Sequence, residues 1–225
     1  MPPVLLGRSV PMKILIHSLG LVGGCCLGLL AWPHTAQGQN FYLNADGGLA
    51  LADDVEISEF VVPARGTEVK LDPGARFSVA GGYHFNDFVG AQIETGFIYN
   101  DIENIDASLA HVPFLADLVL RYERTDFNWI PYIGAGAGGD ASIIVLDNVR
   151  APNGARVDGS ASAVVFAWQA FAGARYKIAD SMSIGARYKF YSAEGASWDV
   201  RNTRGDINAG TARIHSFGVD FTMNF

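Results

Sequence analysis

The chain closes on Ile214-His215-Ser216-Phe217-Gly218-Val219-Asp220-Phe221-Thr222-Met223-Asn224-Phe225. Successive strand side chains point to opposite faces, so this stretch puts Phe217, Val219, Phe221, Met223 and Phe225 on one side. Ser216, Gly218, Asp220, Thr222 and Asn224 fall on the other. The stretch is a strand with one oily face and one polar face, and its terminal aromatic is the feature that decides how the rest is read.

Seven upstream segments share this grammar: 39–51, 75–85, 88–99, 111–123, 129–140, 161–177 and 182–191. With 214–225 they make eight, each long enough to cross a hydrocarbon layer, which takes about nine to eleven tilted residues. In 75–85, Phe77, Val79, Tyr83 and Phe85 oppose Arg76, Ser78 and His84; in 182–191, Ile184, Ala186, Tyr188 and Phe190 oppose Ser183, Arg187 and Lys189. The connections alternate between short (86–87, 124–128, 178–181) and long (52–74, 100–110, 141–160, 192–213). That asymmetry predicts an all-β chain, an eight-stranded antiparallel transmembrane β-barrel with short periplasmic turns and four long extracellular loops. Phe41, Tyr42, Phe85, Phe88, Tyr122, Phe127, Trp129, Tyr132, Tyr176 and Phe225 are expected to form a girdle at the short-turn end, and Tyr99, Phe166, Trp168 and Tyr191 one toward the other rim.

The N-terminus points to export. Lys13 precedes an apolar stretch from Ile14 to Trp32, then Ala36-Gln37-Gly38 gives small residues where a signal peptidase would cut before Gln39. Residues 1–38 are read as a signal peptide, with Met12 the better start, and 39–225 as the barrel domain. Cys25 is followed by further hydrophobic core, which argues against a lipoprotein junction. Both cysteines, Cys25 and Cys26, lie in the leader, so the mature chain offers no disulfide and no thiolate site. Losing Arg8 and Lys13 leaves 14 basic and 23 acidic residues, a net charge of −9, which excludes nucleic acid as a partner class.

If the oily face meets lipid, the other face lines the lumen. It carries Asp46, Arg76, Glu94, Asp117, Arg121, Arg175, Arg187, Lys189 and Asp220, with Asn44, Ser78, His84, Gln92, Gln169, Thr222 and Asn224 among them. An eight-stranded barrel is wide enough only for side chains to fill it, and isolated buried charges are costly, so these groups are expected to pair as a plug. The arginine forks suit the four carboxylates Asp46, Glu94, Asp117 and Asp220. The run Pro131-Tyr132-Ile133-Gly134-Ala135-Gly136-Ala137-Gly138-Gly139 satisfies a loose G-x-G-x-x-G, but it sits inside a strand pattern and opens no helix, so no dinucleotide site is read there. Its small residues make room for large neighbours.

Val112-Pro113-Phe114-Leu115-Ala116-Asp117-Leu118, Pro131-Tyr132-Ile133-Gly134-Ala135-Gly136-Ala137-Gly138, Phe166-Ala167-Trp168-Gln169 with Ala172-Gly173-Ala174-Arg175-Tyr176, and Gly185-Ala186-Arg187-Tyr188 together resemble the outer-membrane β-barrel family of opacity-type surface antigens and OmpA-like transmembrane domains. The resemblance covers essentially the whole mature chain. It implies the bacterial outer membrane, contact with its lipid and lipopolysaccharide, and assembly by the barrel machinery through a C-terminal signal of Phe221, Met223 and Phe225. It is specific for architecture rather than activity, since adhesins and small porin-like proteins share it.

Catalytic chemistry finds little support. His215 and Ser216 are adjacent, which sends them to opposite faces, whereas a nucleophile and its base must lie within hydrogen-bond reach. His111 has no serine beside it in sequence, and no H-E-x-x-H, G-x-S-x-G or calcium-loop pattern occurs. No catalytic residue, cofactor or metal ligand is assigned. Asp53 and Asp54 read as a solvated acidic loop. Trp198, in the last long loop, is the candidate for contact with a host or surface ligand, because aromatic side chains dominate interface energetics; the alternative reading is a loop tryptophan folded onto the barrel rim. The function expected is a structural or adhesin-like surface protein that recognises through its loops. A narrow porin-like channel is the alternative, and a lipid A modifying enzyme a third.

Overall fold

A computed structural model of the chain describes residues 40–60, 67–103, 106–124, 126–150, 156–199 and 206–225. The leader, with Met12 and the Gln39 boundary, lies outside them. The described residues form twelve strands: β1 (Phe41–Ala52), β2 (Val55–Phe60), β3 (Thr67–Val69), β4 (Gly74–His84), β5 (Val89–Asp101), β6 (Ala107–Arg121), β7 (Trp129–Arg150), β8 (Arg156–Ala179), β9 (Met182–Ala193), β10 (Ser197–Asp199), β11 (Asp206–Ala209) and β12 (Ala212–Asn224). Among the described residues no helix is long and apolar enough to cross a membrane.

Eight strands close an antiparallel barrel in the order β1-β12-β9-β8-β7-β6-β5-β4. The closing strand is the one that opened the sequence reading. β12 pairs with β1 from Tyr42↔Asn224 to Ala52↔Ile214, and with β9 from Met223↔Met182 to Ala212↔Ala193. The N–H of Phe225 donates to the carbonyl of Phe41 at 2.9 Å, so the last residue joins the seam. Phe217, Val219, Phe221, Met223 and Phe225 are exposed on the outer wall, while Ser216, Asp220 and Thr222 are buried inside. A strand whose period is two can satisfy both lipid and lumen only in this register.

The short connections, 85–88, 122–128 and 180–181, lie at the end where the barrel's two termini meet, the periplasmic side of such barrels. In the first, Asn86 Oδ1 accepts from the N–H groups of Phe88 and Val89, each at 2.8 Å, as an Asx turn does. The ladder between β5 and β6 is unpaired between Thr95↔Phe114 and Ile98↔His111. Pro113 lies in that gap and has no N–H to give; the Thr95 hydroxyl donates to its carbonyl at 2.9 Å.

At the opposite end strand extends, among the described residues, into all four expected loops. β5 and β6 run through most of 100–110, leaving only 102–106 between them, and β7 and β8 extend through most of 141–160. Ile143, Ile144, Val145 and Leu146 carry β7 past the membrane because β8 continues to pair with them up to Leu146↔Gly159. Residues from the first and last long connections form a separate four-stranded sheet, β10-β11-β2-β3. An apolar cluster of Ile102, Leu109, Ile144, Leu146, Trp198 and Ile207 joins the two layers, so the outer part of the molecule has its own core.

The aromatic girdles are corrected at three positions. Phe41, Phe85, Phe88, Tyr122, Phe127, Trp129, Tyr176 and Phe225 are exposed at the short-turn end, but Tyr42 and Tyr132 are buried, and so is Tyr191 at the other rim. Parity explains each: Tyr42 shares a face with Asn44 and Asp46, Tyr132 with Gly134 and Gly136, and Tyr191 with Lys189 and Arg187.

Candidate functional site

The lumen is filled by four carboxylates and four cations that the strands aim at one another. Asp46 on β1 receives Arg76 Nη1 from β4 at 2.5 Å and Arg187 Nη1 from β9 at 2.5 Å, with Lys189 Nζ at 3.5 Å. Lys189 pairs more closely with Glu94 on β5. On β12, Asp220 is held by Arg175 Nε from β8 and by the Tyr132 hydroxyl, which donates to Oδ1 at 2.8 Å. Arg187 Nε donates to that same hydroxyl at 2.9 Å, so Tyr132 links the two carboxylate centres. The Arg175 guanidinium lies 4.1 Å above the Tyr132 ring, and Arg187 lies 5.1 Å from the Phe171 ring.

Asp117 departs from the expected arginine pairing. It accepts from two amides, Gln92 Nε2 and Gln169 Nε2, each at 2.8 Å. Gln92 in turn accepts from the Tyr42 hydroxyl at 3.1 Å. Arg121 also leaves the central network: it pairs with Glu123 at 2.6 Å at the periplasmic mouth, where Lys177 reaches the same carboxylate at 2.6 Å. Burial pushes the Glu123 carboxyl up, but the Lys177 hydrogen bond and the Arg121 and Lys177 charges outweigh it and hold it below the usual carboxylate range. Arg121 lies four residues from Asp117 along the same strand, about 13 Å at strand rise, and a nearer partner wins.

Glycines give this network its room. A Cβ on Gly136 would stand 1.9 Å from Asp117 Oδ1, and one on Gly134 would stand 2.3 Å from the Phe171 ring. The glycine-rich run is therefore the wall opposite Asp117 and Phe171, as its small residues suggested.

Toward the outer end the lumen turns apolar, and one further polar group marks the boundary. His111 Nδ1 lies 2.7 Å from Asp140 Oδ2, both side chains buried, with Tyr191 edge-on to the imidazole at 5.8 Å. Cross-strand register also sets Ser142 opposite His111, a neighbour that adjacency in sequence could not reveal. Both residues are covered: the Trp198 indole donates to the Ser142 carbonyl at 3.0 Å. Trp198 is only 2% exposed, so the residue expected to meet a ligand is instead a bolt between the outer sheet and β7. The void beside it, lined by Val55, Leu71, Leu109, Ile144 and Trp198, measures about 20 Å³. That is room for roughly one water.

His215 faces outward at the outer rim. Its Nδ1 is 2.8 Å from the Tyr188 hydroxyl and its Nε2 3.9 Å from Asp53, in an aromatic group with Phe190. Among the described residues no group of three or more His, Cys, Asp or Glu side chains is arranged to hold a metal.

The sequence matches the outer membrane protein beta-barrel domain over residues 23–225. The chain belongs to that family. It is a bacterial outer-membrane protein of the OmpA-like, eight-stranded type, and the match begins within the stretch read as leader. No curated protein matches the sequence. Among solved structures, Neisserial surface protein A is similar at 15% identity and a TM-score of 0.55, over 82% of this chain and 97% of that one. OprG from Pseudomonas aeruginosa is similar at 14% identity and a TM-score of 0.51, over 83% and 97%. The outer membrane protease OmpT from Escherichia coli is similar at 7% identity and a TM-score of 0.47, over 83% and 97%. A fold does not fix an activity, so what this family member does must come from its own residues.

Proposed function

We propose that this family member is a sealed membrane anchor that displays an ordered recognition layer at the cell surface. The observation that carries this reading is the contrast between the two ends of the molecule. The lumen is closed by paired charges whose side chains are 0–6% exposed, from Asp46 through Arg187 to Asp220. The outer end has a second sheet and an apolar core of its own, which a passive rim does not need. A narrow channel would require a continuous wet path past Asp46 and Arg187, and a hydrolase would require access to His111, which is buried against Asp140 and Tyr191. Binding sites commonly sit on connections held by a rigid scaffold, and here the scaffold reaches well beyond the membrane.

The test is a displayed variant in which residues 55–69 and 197–209 are each replaced by a short turn. A non-adherent bacterium carrying the full chain should bind host-cell monolayers, and one carrying the trimmed chain at equal abundance should not. Equal adherence would contradict the reading. Assembly and lipid contact belong to the same proposal: Phe221, Met223 and Phe225 face outward at the seam, as a signal read by the barrel assembly machinery would, and the apolar wall they share suits lipid and the acyl chains of lipopolysaccharide. Deleting Phe225 should lower the outer-membrane level of the protein.

A further inference from the structure

Over its closed part the barrel has no open edge, and the two edge strands of the small sheet, β3 and β10, are three residues each. β8 is different. On one side it pairs with β7 from Trp129↔Tyr176 up to Leu146↔Gly159. On the other it pairs with β9 only as far as Ala167↔Ala193, after which the Glu194 N–H donates to the Phe166 carbonyl at 2.9 Å and the chain turns away into β10. From Gly159 to Val165, among the described residues, β8 has a ladder on one edge and none on the other.

This segment reads Gly-Ser-Ala-Ser-Ala-Val-Val, without charge and without proline. Natural edge strands are guarded by lysine, proline, bulges or inward charges, because an open row of N–H and C=O groups templates pairing with another chain. From Ser160 to Val165 there is no lysine, proline or charge, in a protein whose other outer connections are rich in acid; the one irregularity, a register shift against β7 with Gly159 at φ 142°, bounds the segment at its outer end. The strand is also held rigid. Ala161, Ala163 and Val165 pack against the cluster around Trp198, while Ser160, Ser162 and Val164 face solvent, Val164 at 83% exposure. Below Val164 the same face continues through Phe166 and Trp168, both exposed.

We propose that the free edge of β8, Gly159 to Val165, is a strand-addition site that takes an extended, uncharged segment of another protein, with apolar residues at alternate positions. This rests on the reading of the outer layer as a recognition surface and says how it recognises. The unmet groups are backbone donors and acceptors at strand spacing, so the complementary ligand is another strand. Alternate apolar side chains on it would meet Val164 as a cross-strand pair, with Phe166 in diagonal reach. A second copy is the weaker fit, because copies in one membrane point the same way and their β8 strands could meet only in the less stable parallel sense. A rigid template also lowers the ordering entropy of binding, since only the incoming segment must be fixed.

The experiment is amide hydrogen exchange on the full barrel in lipid nanodiscs. The probe is a synthetic peptide of residues Ala141–Leu146 flanked by lysines, the sequence β8 already accepts on its other edge, together with a twin N-methylated at alternate amides. In the free protein, alternate amides between 160 and 165 should exchange fast. The peptide should slow them about tenfold, the expected effect of converting open amides to ladder bonds, and the twin should not. Ser162→Lys should abolish the protection while heat-modifiable migration stays normal; if that variant fails to form a barrel, the twin on the natural protein still decides. Uniform protection of 160–165 in the free protein, no response to the peptide, or equal responses to peptide and twin would overturn the proposal. So would undiminished adherence of the Ser162→Lys protein where the trimmed protein fails to adhere, a result that would leave the recognition layer standing and remove only the strand edge.

Discussion

Asp46 shows how much a single lumen side chain carries. Arg76, Arg187 and Lys189 all lie within 3.5 Å of its carboxylate. Removing one partner of a buried pair leaves an uncompensated charge, at about 3–5 kcal/mol. Asp46→Ala should therefore lower folding stability by roughly that amount in a urea titration of the lipid-refolded barrel, with most of the loss recovered by the double variant Asp46→Ala, Arg76→Leu. Glu123 makes a pH-dependent contribution at the periplasmic mouth. Its folded-state pKa is depressed, so the stability it adds is present above the ordinary glutamate range and is lost as pH falls through the lower folded value. Glu123→Gln should accordingly melt below the natural protein at pH 7, and the two melting temperatures should converge in acid. At this scale alternation in the sequence marks the inward charged side chains, while Tyr42, Tyr132 and Tyr191, expected in the girdles, also point inward. Alternation did not show partner choice. Asp117 takes amides and Arg121 takes Glu123 because the barrel's stagger, which no single strand encodes, decides which inward residues share a level.

Strands β7 and β8 illustrate what an element's sequence can and cannot say. Their membrane-crossing halves were legible from the two-residue period, and the glycines between Tyr132 and Asp140 were legible as room for large neighbours. Gly136→Val would drive a side chain into Asp117 and the Ala116 carbonyl, 2.4 Å from the new Cβ, with backbone that cannot yield. Overpacking of this kind costs about 1–3 kcal/mol or more, so the variant should show a reduced heat-modifiable band. Gly139→Ala, with nothing within 4 Å, should not. The outer halves were hidden because Ala141 to Ser160 was read as a loop once the strand had spanned the membrane. Ile143 to Leu146 is β-branched or leucine throughout, a strand signal that a length prior overrode. Trp198 was misplaced for a related reason: its burial depends on β10 folding back over β7, a contact between residues 56 positions apart.

For the molecule as a whole, two layers of opposite character are stacked along one set of strands. The membrane layer turns its oily face outward and its charges inward, while the outer layer returns to the ordinary arrangement with an apolar core inside. Closure of the first is what makes display by the second the function proposed here, so the most direct test asks whether the lumen is sealed. Single-channel conductance of residues 39–225, refolded into a planar bilayer after heat-modifiable migration confirms a barrel, should be silent for the natural protein. Discrete steps from the natural protein, with amplitudes altered by Arg187→Glu, would place a conducting path through the Asp46, Arg187 and Asp220 network and contradict the sealed-anchor account.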